Sequence, residues 1–329
     1  MAEQDTPTAG TGGTLHTAGA PAPTELARQL TGDLPCFTCR YNLRGLSVKA
    51  VCPECGTPIR VAILATVDPY APVLQPVVWS RLTAAGVVAW ATGALLAGLL
   101  TWGQRLLDVI STLTDRPLGT QTPARTALAW AAVGCIAWSG VGAAAFIRPH
   151  ARIPALGSVT AVAGVLATFV LGRLYWQLHL RFDSGHTPPY QLLTAPLTER
   201  SLLRLEHAGV LLVILFGLRP NARLLAARPL LMRLGRVDHQ TMLTMAAAVA
   251  MGAGGDGLQI LSMQWTSGGT LSLILGSVGL FMIAVGSMLF TVGLVGIFLN
   301  SLRIAGVILK PAPAPSQVLE PVTHAGARV

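Results

Sequence analysis

The sequence predicts an all-α integral membrane helical bundle of about six spans, preceded by a small N-terminal four-cysteine zinc ribbon. Three observations predict it. Of 329 residues, 52% are hydrophobic and only 11% are charged, against about 25% charged in soluble domains. The runs Leu82–Trp102 and Thr270–Leu299 contain no acidic or basic residue, and each exceeds the roughly 18 residues that mark a candidate transmembrane helix. Four of the five cysteines fall in two C-x-x-C pairs, Cys36/Cys39 and Cys52/Cys55. Abundant glycine (35 residues) and few aromatics suit helices packed closely in lipid. The net charge of +9 comes from 21 Arg and 2 Lys against 14 acids, which in a membrane protein is first an orientation signal.

Residues 1–33 are rich in Thr, Gly, Ala and Pro, with neither the basic start nor the apolar block of a signal peptide, and are expected to form a disordered leader. The ribbon follows at 34–60. Twelve residues separate its cysteine pairs, a spacing that lets four thiolates meet one tetrahedral zinc. Tyr41–Val51 is long enough for a small hairpin between the two knuckles. So short a segment cannot bury a stabilising core, so the metal should supply most of the folding free energy. A rubredoxin-like iron site, disulfides or a redox pair remain as alternatives, although no βαβ pattern surrounds either pair. Four cysteines leave no open coordination position, so the site reads as structural. Tyr41, Asn42, Leu43 and Arg44 either cover the metal or form a surface for a cytosolic protein partner. Cys135 lies in an apolar run and reads as a small packing residue.

The run Cys-x-x-Cys-x-Tyr-Asn-Leu-Arg-Gly-Leu, then Cys-Pro-Glu-Cys-Gly, resembles the short zinc-ribbon module at the N-terminus of many planctomycete membrane proteins. The match covers about residues 34–60, with Arg40 where that pattern has Gly and Asn42 where it has Asp. The resemblance implies Cys36, Cys39, Cys52 and Cys55 as zinc ligands and a bacterial origin. It implies no reaction.

A linker at 61–80 carries Pro69, Pro72 and Pro76, which favour extended chain. The transmembrane domain at 81–303 divides into spans near Leu82–Trp102, Thr126–Ile147, Leu156–Trp176, Leu202–Leu218, Gln240–Leu261 and Thr270–Leu299. The fifth is weakly apolar and contains Asp256. A Pro/Ala-rich tail at 304–329 should stay extended. With the N-terminus inside, the inner segments hold eleven basic residues and the outer ones seven, which places both termini in the cytoplasm of a bacterial inner membrane. A reducing cytosol also preserves free thiolates.

Inside the membrane domain, Gly279, Gly286 and Gly293 recur every seven residues and lie on nearly one helical stripe. Such a stripe admits a close partner, either another span or a second copy in a homo-oligomer. Arg219, Arg223, Arg228, Arg233 and Arg236 interleave with leucines. Pro220 and Pro229 are expected to break this stretch into short helices at the lipid headgroup interface. Nucleic acid is a poor partner, because aromatics for base stacking are missing there.

Asp256, in Gly254-Gly255-Asp256-Gly257, is either an intramembrane carboxylate at a helix break or a solvated turn residue. Asp238-His239 should cap the following helix. His179, His186 and His207 read as solvated or snorkelling residues. No H-E-x-x-H, G-x-S-x-G or P-loop occurs, so the sequence favours a non-enzymatic anchored docking protein. A transporter or channel using Asp256 is the alternative, and a lipid-acting enzyme the weakest.

Overall fold

The computed structural model describes residues 29–36, 38–67, 77–113, 123–150, 153–183, 198–231, 241–264 and 269–309. The chain divides into two units, Met1–Ile63 and Leu64–Val329. The first is built of turns and isolated bridges, and ends by entering α1 (Ile59–Val67). The second contains α2 (Ser80–Leu113), α3 (Pro123–Ala143), α4 (Ala155–Leu178), α5 (Thr198–Leu231), α6 (Thr241–Gln264) and α7 (Thr270–Ile308). A short 3-10 turn, Ala144–Phe146, ends α3, and a π turn, His179–Asp183, ends α4.

Every expected span coincides with a helix, and α2, α4, α5 and α7 run past the expected boundaries. Five of them are long and apolar enough to cross a membrane, namely α2, α3, α4, α5 and α7. α6 is not among those five. Its Asp256, Gln259, Gln264 and glycines keep its hydropathy low. Even the most enclosed of the five has only 39% of its apolar window buried. Leu156, Phe281 and Val292 are at least two-thirds exposed. Apolar side chains pointing outward over this much surface suit lipid, not water.

The six helices close into a ring in chain order: each packs on the next, and α7 returns to α2. Consecutive pairs form three hairpins whose seams depend on missing side chains. On α2/α3, a Cβ at Gly93 would meet Cys135 O at 2.6 Å, and the Ser139 hydroxyl donates to Trp90 O at 2.8 Å. On α4/α5, a Cβ at Gly217 would meet Thr160 O at 2.7 Å. On α6/α7, Gly279 lies against Gly255, Gly286 against Ala248 and Gly252, and Gly293 against Met245. The predicted stripe of three glycines therefore faces another helix of the same chain. Helices gain nothing from hydrophobicity against lipid tails, so this close backbone contact is what holds them.

Two expectations about helix breaks fail. α5 continues through Pro220 and Pro229 to Leu231 rather than breaking into short interfacial helices. Proline is tolerated within helices in lipid where neighbours satisfy the freed backbone groups. Here Asn221, beside Pro220, pins the helix by donating to Phe146 O at 2.6 Å and Gly157 O at 3.0 Å. Likewise α6 passes unbroken through Gly254–Gly257, with Gly254 and Gly255 packed against α7.

The seams predict a contrast. Gly286→Ala places a methyl 2.7 Å from the Ala248 carbonyl oxygen, which should cost about 1–3 kcal/mol. Gly209→Ala meets nothing within 4 Å and should be neutral, or stabilising by up to about 1 kcal/mol through helix propensity. Thermal unfolding in detergent measures both, and the reverse order would contradict the seam.

Candidate metal centre and buried charged layer

Each C-x-x-C pair sits at the tip of its own hairpin. Around the first, Leu43 N donates to Leu34 O at 2.8 Å, Cys36 N to Tyr41 O at 2.8 Å and Arg40 N to Cys36 O at 2.7 Å. The second repeats the pattern: Ile59 N to Ala50 O at 3.1 Å, Cys52 N to Thr57 O at 2.7 Å and Gly56 N to Cys52 O at 2.9 Å. Pairing is limited to isolated bridges, Pro35 with Asn42 and Val51 with Pro58. The expected hairpin over Tyr41–Val51 does not form. Its strands are used by the two knuckles, and the chain between them turns at Gly45 (φ 78°), whose N–H reaches Leu30 O at 2.8 Å.

The four sulfurs lie within 4.8 Å of one another. Cys36 to Cys55 and Cys39 to Cys52 are both 3.5 Å. Thiolates about 2.3 Å from a tetrahedral zinc would be roughly 3.8 Å apart, so the cluster fits a four-coordinate metal ion. Its charge state fits too. Burial opposes ionisation of Cys55, but hydrogen bonds with Thr57 and the Cys39 and Cys36 thiols lower its pKa to about 6. The Tyr41 backbone favours the Cys39 thiolate, yet burial and three neighbouring sulfurs push that thiol up to about 12. Burial also raises Cys36. Thiols held up in this way release their protons when a dication binds, so metal affinity rises with pH.

Under the sulfurs lies a small core of Leu43, Ile59 and Ala62, flanked by Leu30 and Leu34. The described ribbon begins at Gln29, which bridges to Ser47, so part of the expected leader belongs to it. α1 occupies the start of the expected linker, and residues 68–76, with the three prolines, lie outside the described residues. Leu43 is fully buried and cannot belong to a recognition surface, whereas Tyr41 is 41% exposed. Asn42 Nδ2 donates to Asp33 Oδ1 at 2.9 Å, and Arg44 pairs with the same carboxylate at 3.5 Å. Asn42 Oδ1 also accepts from Arg44 N at 3.1 Å, so this residue braces the turn.

A second polar assembly lies within the helical unit. Asp183, at the end of α4, receives Arg105 Nη2 of α2 and Arg200 Nη2 of α5, each at 3.2 Å. Its backbone carbonyl accepts from Arg125 of α3 at 3.4 Å. One turn along α5, Arg204 Nε lies 3.4 Å from Asp256 Oδ1 of α6. Tyr175 donates to Gln104 Oε1 at 3.3 Å. His179 is buried against Trp176 with both ring nitrogens unpartnered, and His207 Nδ1 is also buried without a partner. These two histidines are therefore not the solvated residues expected. Asp256 is neither at a helix break nor in a solvated turn: it is 4% exposed, on a continuous helix, facing an arginine.

Arg219 and Arg223 lie at the other end of α5, lining a cleft with Asn300 of α7. Arg228 is also on α5. Arg233, Arg236, Asp238, His239 and His186 lie outside the described residues. The charge count places Arg105, Arg125, Arg200 and Arg204 among the seven basic residues of the outer segments and does not reveal their convergence on Asp183 and Asp256. The signal was present: an up-and-down bundle brings alternate span ends together, and every end on this side except that of α7 carries a charge. Comparisons with protein-family models, curated proteins and solved structures find no match to this chain.

Two predictions follow from these geometries. Arg40 has φ 62°, the left-handed conformation that Gly56 (φ 70°) adopts at the equivalent place in the second knuckle. Arg40→Gly removes the Cβ strain and should stabilise the ribbon by about 1 kcal/mol, raising the chelator concentration needed to strip its metal; an unchanged or lower value contradicts the assignment. Asp256→Asn leaves Arg204 buried without its acid and should cost about 3 kcal/mol. The double variant Arg204→Met/Asp256→Leu should recover much of that loss in detergent unfolding, and a fully stable single variant would remove the pair's structural role.

Proposed function

We propose that this protein is a multi-pass docking protein of a bacterial inner membrane, whose cytosolic ribbon holds a structural zinc and recruits a protein partner. The observation that carries the reading is the four-sulfur cluster within 4.8 Å, on the same chain as five helices suited to crossing a bilayer. Zinc suits four closed thiolate positions, and thiolates persist in a reducing compartment. Bacterial origin rests on the resemblance of the ribbon to planctomycete modules. Tyr41 offers an exposed aromatic beside the metal, the side-chain type that anchors protein interfaces.

Six crossings are the topology this reading requires. α6 is too polar to insert unaided, but it lies along α7 from the Met245–Gly293 contact to the Ser272 hydroxyl on Ser262 O, 2.8 Å. That overlap is about 26 Å at 1.5 Å per residue, close to the roughly 30 Å bilayer core. A partner running alongside for that distance crosses with α7. Six crossings return the C-terminus to the ribbon's side and leave the more arginine-rich segments inside.

A second reading, solute or proton passage beside Asp256, is favoured by the burial of that carboxylate against Arg204.

In-cell crosslinking tests docking. Full-length wild type and a Cys39→Ser/Cys55→Ser variant are compared at equal membrane abundance. Wild-type chains should carry one zinc and capture a protein that the variant does not; identical capture, or iron in place of zinc, overturns the reading.

A further inference from the structure

We propose that the cleft at the α5 C-terminal end of the bundle is a binding site for the phosphate of an anionic phospholipid. The cleft has a volume of about 60 Å³ and an almost wholly apolar wall that includes Trp90, Phe146 and Ile297, with Arg219, Arg223 and Asn300 among the residues at its edge. No carboxylate lines it among the described residues. Arg219 Nε is buried without a hydrogen-bond partner. A buried N–H without an acceptor is costly. Arg223 stands one turn away on the same face, where like charges repel. One anion between the two guanidinium groups relieves both costs, and a phosphate matches their donor geometry.

Position and lining select a lipid over a soluble phosphate. Arg219 lies nineteen residues along α5 from Arg200, about 28 Å at the helical rise. Arg200 belongs to the charged layer at the opposite end, so the two layers stand about one hydrocarbon thickness apart. Arg219 is then at a headgroup boundary, and the apolar wall beside it receives the first methylenes of a chain instead of water. The inference rests on the membrane reading and specifies which lipid chemistry the bundle recognises.

The test uses full-length protein purified in nonionic detergent and followed by native mass spectrometry. Phosphatidylglycerol, phosphatidylcholine and glycerol 3-phosphate are titrated separately. Phosphatidylglycerol should bind at least about tenfold more tightly than phosphatidylcholine, and glycerol 3-phosphate should not bind. Arg219→Gln/Arg223→Gln should abolish the preference with little change in melting temperature, and Arg223→Gln alone, at an exposed position, should weaken it. Equal binding of the two lipids, a preference that survives the double substitution, or comparable binding of glycerol 3-phosphate would overturn the proposal. Protein that stays dispersed without detergent would instead overturn the membrane reading beneath it.

Discussion

Backbone-to-backbone approach at the glycine seams is the interaction on which the helical unit depends. Lipid tails compete equally for any leucine, so helices in a bilayer stay together through close contact and internal polar bonds. In this chain the three hairpins α2/α3, α4/α5 and α6/α7 are each closed at positions where a Cβ would collide with the facing backbone. The α6/α7 seam carries a further consequence. It shields the one helix that lacks the hydropathy of a span, and it sets the rotation that turns Asp256 toward Arg204 of α5.

Polarity is distributed accordingly. Leucine, valine and phenylalanine cover the outside, while charged groups converge inside the ring at one end. Asp183 ties α2, α3 and α5 together through one carboxylate and one carbonyl. Breaking such a buried pair costs more than the pair itself contributes, because the remaining charge stays desolvated. The layer thus opposes sliding or rotation of individual helices even where the glycine surfaces alone would permit it. The π turn that ends α4 contributes by carrying Asp183 at its last position.

Much of this was legible in sequence. Apolar runs located all six helices of the bundle, the cysteine spacing located the four-sulfur cluster, and the seven-residue glycine repeat identified a packing stripe. What sequence could not supply was partnership. Asp256 reads alone as a costly charge or a turn, because its arginine lies fifty-two residues earlier. Pro220 reads as a break, because local propensity does not include the bonds from Asn221 to Phe146 and Gly157 beside it. The knuckles were misjudged for a related reason: a C-x-x-C pair closes its own hairpin and leaves no strand to pair across Tyr41–Val51. Leu30 reads as leader until its packing against the ribbon core is visible.

The ribbon and the bundle meet a shortage of hydrophobic driving force in different ways, one with four converging sulfurs that fit a metal ion and the other with glycine contacts. In the proposed topology α6 crosses the bilayer alongside α7, on which it packs. Fusing a fluorescent protein that matures only in the cytoplasm to each terminus in turn tests this most directly. Six crossings predict fluorescence from both fusions, whereas a dark C-terminal fusion beside a bright N-terminal one would mean five crossings and would contradict the account.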